Sequence, residues 1–183
     1  MSYTKSPLSE RKLLNPDPFS AFLLSFNSCR PTSRGHLQIT SADPFDHPLI
    51  QPHYLSTDHD LAEARAGIRL LRALAAQAPL ADIITEELMP GAHLQGDDDL
   101  LNDFRSRADT VYHPSSTCMM GPDAATSVVD ARLRVHGIDG LRVIDASIFP
   151  NITSGNINAP TVMVAEKGAA MILEDARRRT SDA

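Results

Sequence analysis

Cysteine occurs only twice in the 183 residues, at Cys29 and Cys118, with no CxxC pair and no metal-ligand spacing. That excludes a disulfide scaffold and a zinc site, and leads us to expect free thiols in a reducing cytoplasm. Positive charge is in deficit: 17 Lys and Arg stand against 23 Asp and Glu, for a net charge of −6. Nucleic-acid binding would need a basic patch, and none is visible. The one dense basic cluster, Arg177-Arg178-Arg179, reads as the positive end of a helix. No apolar run is long enough for a transmembrane segment. The first twenty residues, MSYTKSPLSERKLLNPDPFS, have no apolar stretch after their charges, so we expect no secretory signal. There is no GxSxG elbow, which argues against a serine hydrolase. There is also no GxGxxG, so the chain has no dinucleotide-binding fingerprint of its own.

What is present suits a globular domain. Hydrophobic residues make up 42% of the chain, enough for one sizeable core. We expect a lead-in over residues 1–18, one domain over 19–176 and a polar tail over 177–183. The run FSAFLLSF (19–26) reads as a buried strand, and HLQIT (36–40) alternates like a half-buried one. Pro44, Pro48 and Pro52 exclude a helix or a central strand and predict an extended surface segment.

Thr57 to Asp60 supply a cap and an acidic first turn for a helix. Leu61, Ala64, Ile68, Leu71 and Ala75 fall on its buried face. Asp97-Asp98-Asp99 opens a shorter helix through Arg107; it lacks calcium-loop spacing, so no metal site is expected. Val111-Tyr112, Val128 to Asp130, Leu133 to Val135 and Leu141 to Ile144 read as short strands. Pro160 opens a final helix with Val164, Gly168, Met171 and Ile172 on its packed face. The fold class is α+β: an antiparallel sheet with helices packed on it.

Two loops offer chemistry. His113 stands before Pro114 in YHPSSTCMMG (112–121), beside the hydroxyls of Ser115, Ser116 and Thr117. A neutral imidazole accepts a proton near pH 7, so His113 is a candidate general base. The second loop, TSGNINAP (153–160), feeds the final helix, whose first N–H groups favour anionic groups. Its plainer reading is capping by Asn158 plus a first-turn proline.

These blocks carry a family resemblance. HPSSTCMMGPD (113–123), VVDARLRVHGIDGLRVIDASIFP (128–150) and SGNINAPTVMVAEKGAAMI (154–172) resemble the C-terminal signature of the glucose–methanol–choline (GMC) oxidoreductases. SRGHLQITSADPFDHPLIQPHYLS (33–56) resembles the same family, nearest to its choline dehydrogenase-like alcohol dehydrogenases. The resemblance implies FAD as cofactor, a small-molecule alcohol as substrate, and oxidation of a CH–OH group with hydride passing to flavin N5. It implies that His113 is the catalytic base or its electrostatic equivalent, with Asn156 beside it as the second catalytic residue. Asp145 and Ala146 would lie at the flavin, with Asn158 and Pro160 near its ring system. The chain departs from the family pattern at Ser116, where the motif has glycine, and at Met119, where it often has lysine. Glycine alone is free at positive φ, so Ser116 narrows the options of the His113 loop. The FAD-binding Rossmann-like half is not recognisable in these residues. The resemblance therefore leaves two expectations: a substrate-side part completed by an N-terminal FAD-binding half in trans, or a catalytically silent truncated or split-enzyme fragment.

Overall fold

The computed structural model describes residues 19–181. The expected lead-in over 1–18 lies outside them. Among the described residues the architecture is α+β: one antiparallel two-stranded sheet, four α-helices, one 3-10 turn and long structured loops. Two compact units divide the residues, one containing 19–28, 32–34 and 53–111, the other 29–31, 35–52 and 112–181. Among the described residues no helix is long and apolar enough to cross a membrane.

The first unit is built on helix α1 (Asp58–Ala75), the short α2 (Leu80–Ile83) and α3 (Asp97–Arg107). Thr57 caps α1 as expected, its hydroxyl accepting from the Asp60 N–H at 3.3 Å. Ala64 and Gly67 are buried on α1, Leu100 and Leu101 on α3. The FSAFLLSF run is not a strand: residues 19–26 pair with no sheet. Its hydrophobicity serves one insertion instead. The Phe26 ring stacks on Phe104 of α3, with centroids 5.3 Å apart and planes 18° apart. The same ring lies against Gly67 of α1, where an added Cβ would be 2.2 Å from it. Glycine thus makes the slot that Phe26 fills.

Arginines of α1 tie down the segment between Glu87 and Asp98. Arg72 donates to Glu87 at 2.9 Å and to the carbonyls of Gly91 and Leu94 at 3.1 and 2.7 Å. Arg65 meets Asp98 at 3.2 Å and Arg69 meets Asp97, so the aspartates that begin α3 also join it to α1.

Asp60 does more than serve an acidic first turn. Its side chain is only 4% exposed. One carboxylate oxygen accepts from the Thr32 N–H at 2.8 Å and the Thr32 hydroxyl at 3.1 Å. The other accepts from the Ser33 N–H at 3.0 Å and from the Ser33 hydroxyl. Burial pushes this carboxyl up, but the hydrogen bonds from Ser33 and Thr32 prevail and hold it at about 2.

The second unit holds β1 (His36–Gln38), β2 (Leu49–Gln51) and the long helix α4 (Asn158–Ser181). Leu37 opposes Ile50 in the antiparallel register. β2 fits between Pro48 and Pro52 because a two-stranded sheet has only edge strands. The strands expected between 111 and 144 shrink to isolated bridges, Met120 with Val129, Val129 with Val135 and Arg134 with Arg142. Val111-Tyr112 is no strand, since Tyr112 has φ of 59°. Val129, Leu133, Ile148 and Val164 form the core, with Met120, Ile144 and Met171 packed at its margin. Gly168 of α4 lets Ile144 approach, at 2.6 Å from an added Cβ. Ile172, expected on the same face, is 45% exposed. Farther along α4, Asp175 receives Arg132 at 2.8 Å and Arg142, which also donates to the Arg132 carbonyl.

The first unit can be tested at two places. The Asp60 carboxyl sits below its ordinary value of 3.8, so its stabilisation is present above about pH 4 and is lost as pH falls through about 2. Acid titration followed by circular dichroism should show about 2 kcal/mol of stability lost over that window, and Asp60→Asn should abolish that share. Gly67→Ala should cost about 1–3 kcal/mol in urea unfolding by expelling the Phe26 ring. Adding Phe26→Ala to it should cost less than Phe26→Ala does alone.

Candidate active site

The site is assembled in the second unit, around a 3-10 turn at Ala146–Ile148. Asp145 caps this turn: its Oδ1 accepts from the Ser147 N–H at 2.7 Å. Ile148 is 2% exposed and belongs to the core. The turn's carbonyls then capture the loop that carries His113. The Cys118 N–H donates to the Ser147 carbonyl at 3.0 Å, and the Met120 N–H to the Ile148 carbonyl at 2.8 Å. The same turn packs against α4. Sequence blocks about thirty residues apart are thus joined by main-chain hydrogen bonds that no side-chain pattern announces.

His113 and Asn156 meet directly, with Nε2 of the ring 3.1 Å from the Asn156 Oδ1. A carbonyl oxygen only accepts, so Nε2 carries the proton and donates. Nδ1 is left with a lone pair, buried and without a hydrogen-bond partner among the described residues. The opposite proton arrangement would bury an unpaired N–H, which proteins tolerate less often than an unpaired acceptor. His113 is half-buried, whereas Asn156 stands in an exposed loop. That loop is steadied by the Thr153 hydroxyl on the Gly155 carbonyl at 3.0 Å.

The backbone on either side of His113 is unusual. Tyr112 has φ of 59° and Ser116 φ of 67°, both in the left-handed region. Each such residue with a Cβ costs about 1–2 kcal/mol. The glycine that the resembling motif carries at the Ser116 position would adopt this conformation freely.

The remaining expected site residues are grouped but not all joined. Asp145 is exposed and Ala146 half-buried at the turn. Asn158 is exposed as the first residue of α4, and Pro160 is its third. Asn158 is therefore inside the helix rather than its cap. Buried Ile157 holds the cap position, its carbonyl taking the Thr161 N–H at 3.0 Å. Among the described residues no hydrogen bond links Asn158 to His113 or Asp145, although all sit in one unit. Sequence reasoning missed Arg30, whose Nε reaches the Ser154 hydroxyl at 3.5 Å, two residues from Asn156. A contact across 124 residues leaves no spacing signal.

Known proteins match this sequence and this fold. The family model described as GMC oxidoreductase matches residues 31–165. The chain belongs to the GMC oxidoreductase family. Over 158 residues it is 48% identical to the mitochondrial choline dehydrogenase of Homo sapiens, covering 86% of this chain and 27% of that protein. It is 46% identical to the alcohol dehydrogenase [acceptor] of Pseudomonas putida, over 84% of this chain and 28% of that one. Among solved structures, an Aspergillus oryzae formate oxidase studied for its FAD modification superposes with a TM-score of 0.76 at 33% identity, over 81% of this chain and 26% of that chain. The chain spans about a quarter of the length of these relatives. It matches the C-terminal part of a family whose members are FAD-dependent oxidoreductases.

The Asp145 cap can be separated from any other role of that carboxylate. Asparagine caps as well as aspartate, whereas alanine does not. Asp145→Ala should therefore lower the urea midpoint by an amount equivalent to about 1 kcal/mol, and Asp145→Asn should leave it near wild type.

Proposed function

We propose that this chain is the substrate-side part of an FAD-dependent oxidoreductase that oxidises the CH–OH group of a small alcohol. The observation that carries the reading is the His113–Asn156 pair, at 3.1 Å, inside the residues that match the family, 31–165. The donor set fits a flavin and an alcohol together. Asp145 and Asn158 present exposed polar groups, and the first turn of α4 has amides that favour negative charge. His113 offers one nitrogen to the site and keeps the other buried. In this reading Asp145, Ala146, Asn158 and Pro160 hold the cofactor, and His113 and Asn156 hold the alcohol oxygen. FAD, when bound, supplies at N5 the acceptor for the carbon-bound hydride.

The alcohol hydroxyl takes the place of the Asn156 oxygen at Nε2. In its resting form Nε2–H donates to that oxygen and favours negative charge developing there. To act as base, His113 must present a bare Nε2, with the ring proton on Nδ1. A buried N–H without an acceptor costs about 1–3 kcal/mol. General-base assistance is worth about 10²–10⁴ in rate, or about 3–5 kcal/mol. The base form is therefore within reach, and His113 takes the hydroxyl proton at Nε2 while Asn156 fixes the oxygen. A flavin-binding part, in the same polypeptide or in trans, completes the site.

A second reading is a catalytically silent segment. Absorbance separates the two. With the flavin-binding part present, His113→Ala should slow flavin reduction by the alcohol at least about 100-fold, read by stopped-flow bleaching of the flavin band. Unchanged kinetics would remove His113 from the reaction. Absence of flavin absorbance under every pairing would leave the silent reading standing.

A further inference from the structure

We propose that Ser116 and Tyr112 are positioning residues for His113, acting through the narrowness of their backbone conformation. The inference rests on the reading of His113 as the residue that faces the substrate oxygen. For a residue with a Cβ the left-handed region is small, spanning about 20° in φ and about 30° in ψ. Tyr112 at 59° and Ser116 at 67° both occupy it. Between them Pro114 has a locked φ and keeps His113 out of the helical region. Four of the five residues from 112 to 116 thus have little torsional freedom.

The downstream end of the segment is fixed as well. Cys118 and Met120 donate to the carbonyls of Ser147 and Ile148, at 3.0 and 2.8 Å. Ser116 lies two residues before the first of these bonds, so a change in its backbone has a short path in which to be absorbed. Between these restricted residues the His113 ring sits with Nδ1 buried and Nε2 on Asn156. Glycine at 116 could keep the same average φ. It would do so in a much wider well, and the ring would be aimed less sharply. The serine is therefore more than a tolerated substitution in the motif. It trades backbone strain for a fixed imidazole.

The readout is the tautomer of His113, which a merely structural role would not move. The full chain, labelled with ¹⁵N-histidine, gives ring nitrogen and proton correlations by NMR, and His113 is assigned by its loss in His113→Ala. The wild type should show a single Nε2–H form. Ser116→Gly and Tyr112→Gly should raise the minor tautomer about fivefold or more. Ser116→Asn keeps a Cβ and tolerates the left-handed region, so it should match wild type. A His113 signal unchanged in both glycine variants overturns the proposal. So does equal disturbance by Ser116→Gly and Ser116→Asn, which would make the hydroxyl the cause. The measurement needs no flavin. A negative result here leaves the alcohol-oxidation reading intact, whereas unchanged flavin reduction in His113→Ala would remove the substrate-facing role and leave the tautomer result as a statement about loop geometry alone.

Discussion

Ile148 is the pin on which the second unit hangs. Its side chain is buried with Val129, Leu133 and Val164, while its carbonyl holds the Met120 N–H. One residue thus belongs to the core and to the loop that carries His113. Burying an isoleucine side chain is worth about 1.5–3 kcal/mol, and every contact of the His113 loop with the 3-10 turn draws on that anchorage. Val164 reaches the same cluster from α4, so the helix that begins just after Asn156 is fixed to the same point. The two nitrogens of His113 find their different surroundings because both walls of the site are pinned together.

The periodic parts of this architecture were legible in the sequence. α1 begins at its Thr57 cap, α3 runs from its acidic first turn at Asp97 to Arg107, and α4 carries the proline at 160 in its first turn. Periodicity works there because a helix satisfies its own backbone, so its sequence needs only to choose a face. It failed at FSAFLLSF, where a run of apolar residues looks the same for a strand and for a segment that inserts a single ring. Phe26 had its slot made by Gly67, far along the chain, and nothing local records that. The short strands from 111 to 144 failed for a related reason. Those residues are β-prone, but positive φ at Tyr112 and Leu133 and the turns at Gly137 and Gly140 leave only bridges.

The site was legible by another route. His113 among seven histidines carries little weight by composition alone. Its place in ordered blocks singled it out, together with Asn156, and the fold brings these two within hydrogen-bonding distance. Order in sequence did not reveal how the blocks are tied. The Cys118 and Met120 amides, the buried Nδ1 and the Arg30–Ser154 contact are properties of main chain and burial. Asn158 was read as a cap because its residue type favours one, yet Ile157 takes that position because its side chain has a core to enter.

The position of α4 along the chain carries a consequence for biosynthesis. The helix is translated after every residue of the His113 and Asp145 segments, yet it supplies Val164 to their core and Asp175 to Arg132 and Arg142. Until it emerges from the ribosome, Ile148 and Val129 lack one wall, and the two guanidinium groups lack their shared carboxylate. The first unit closes earlier, from contacts complete by about residue 111. Vectorial synthesis therefore leaves the His113 segment unprotected until α4 has emerged, later than the first unit, and it is this segment that a nascent-chain chaperone would meet unfolded.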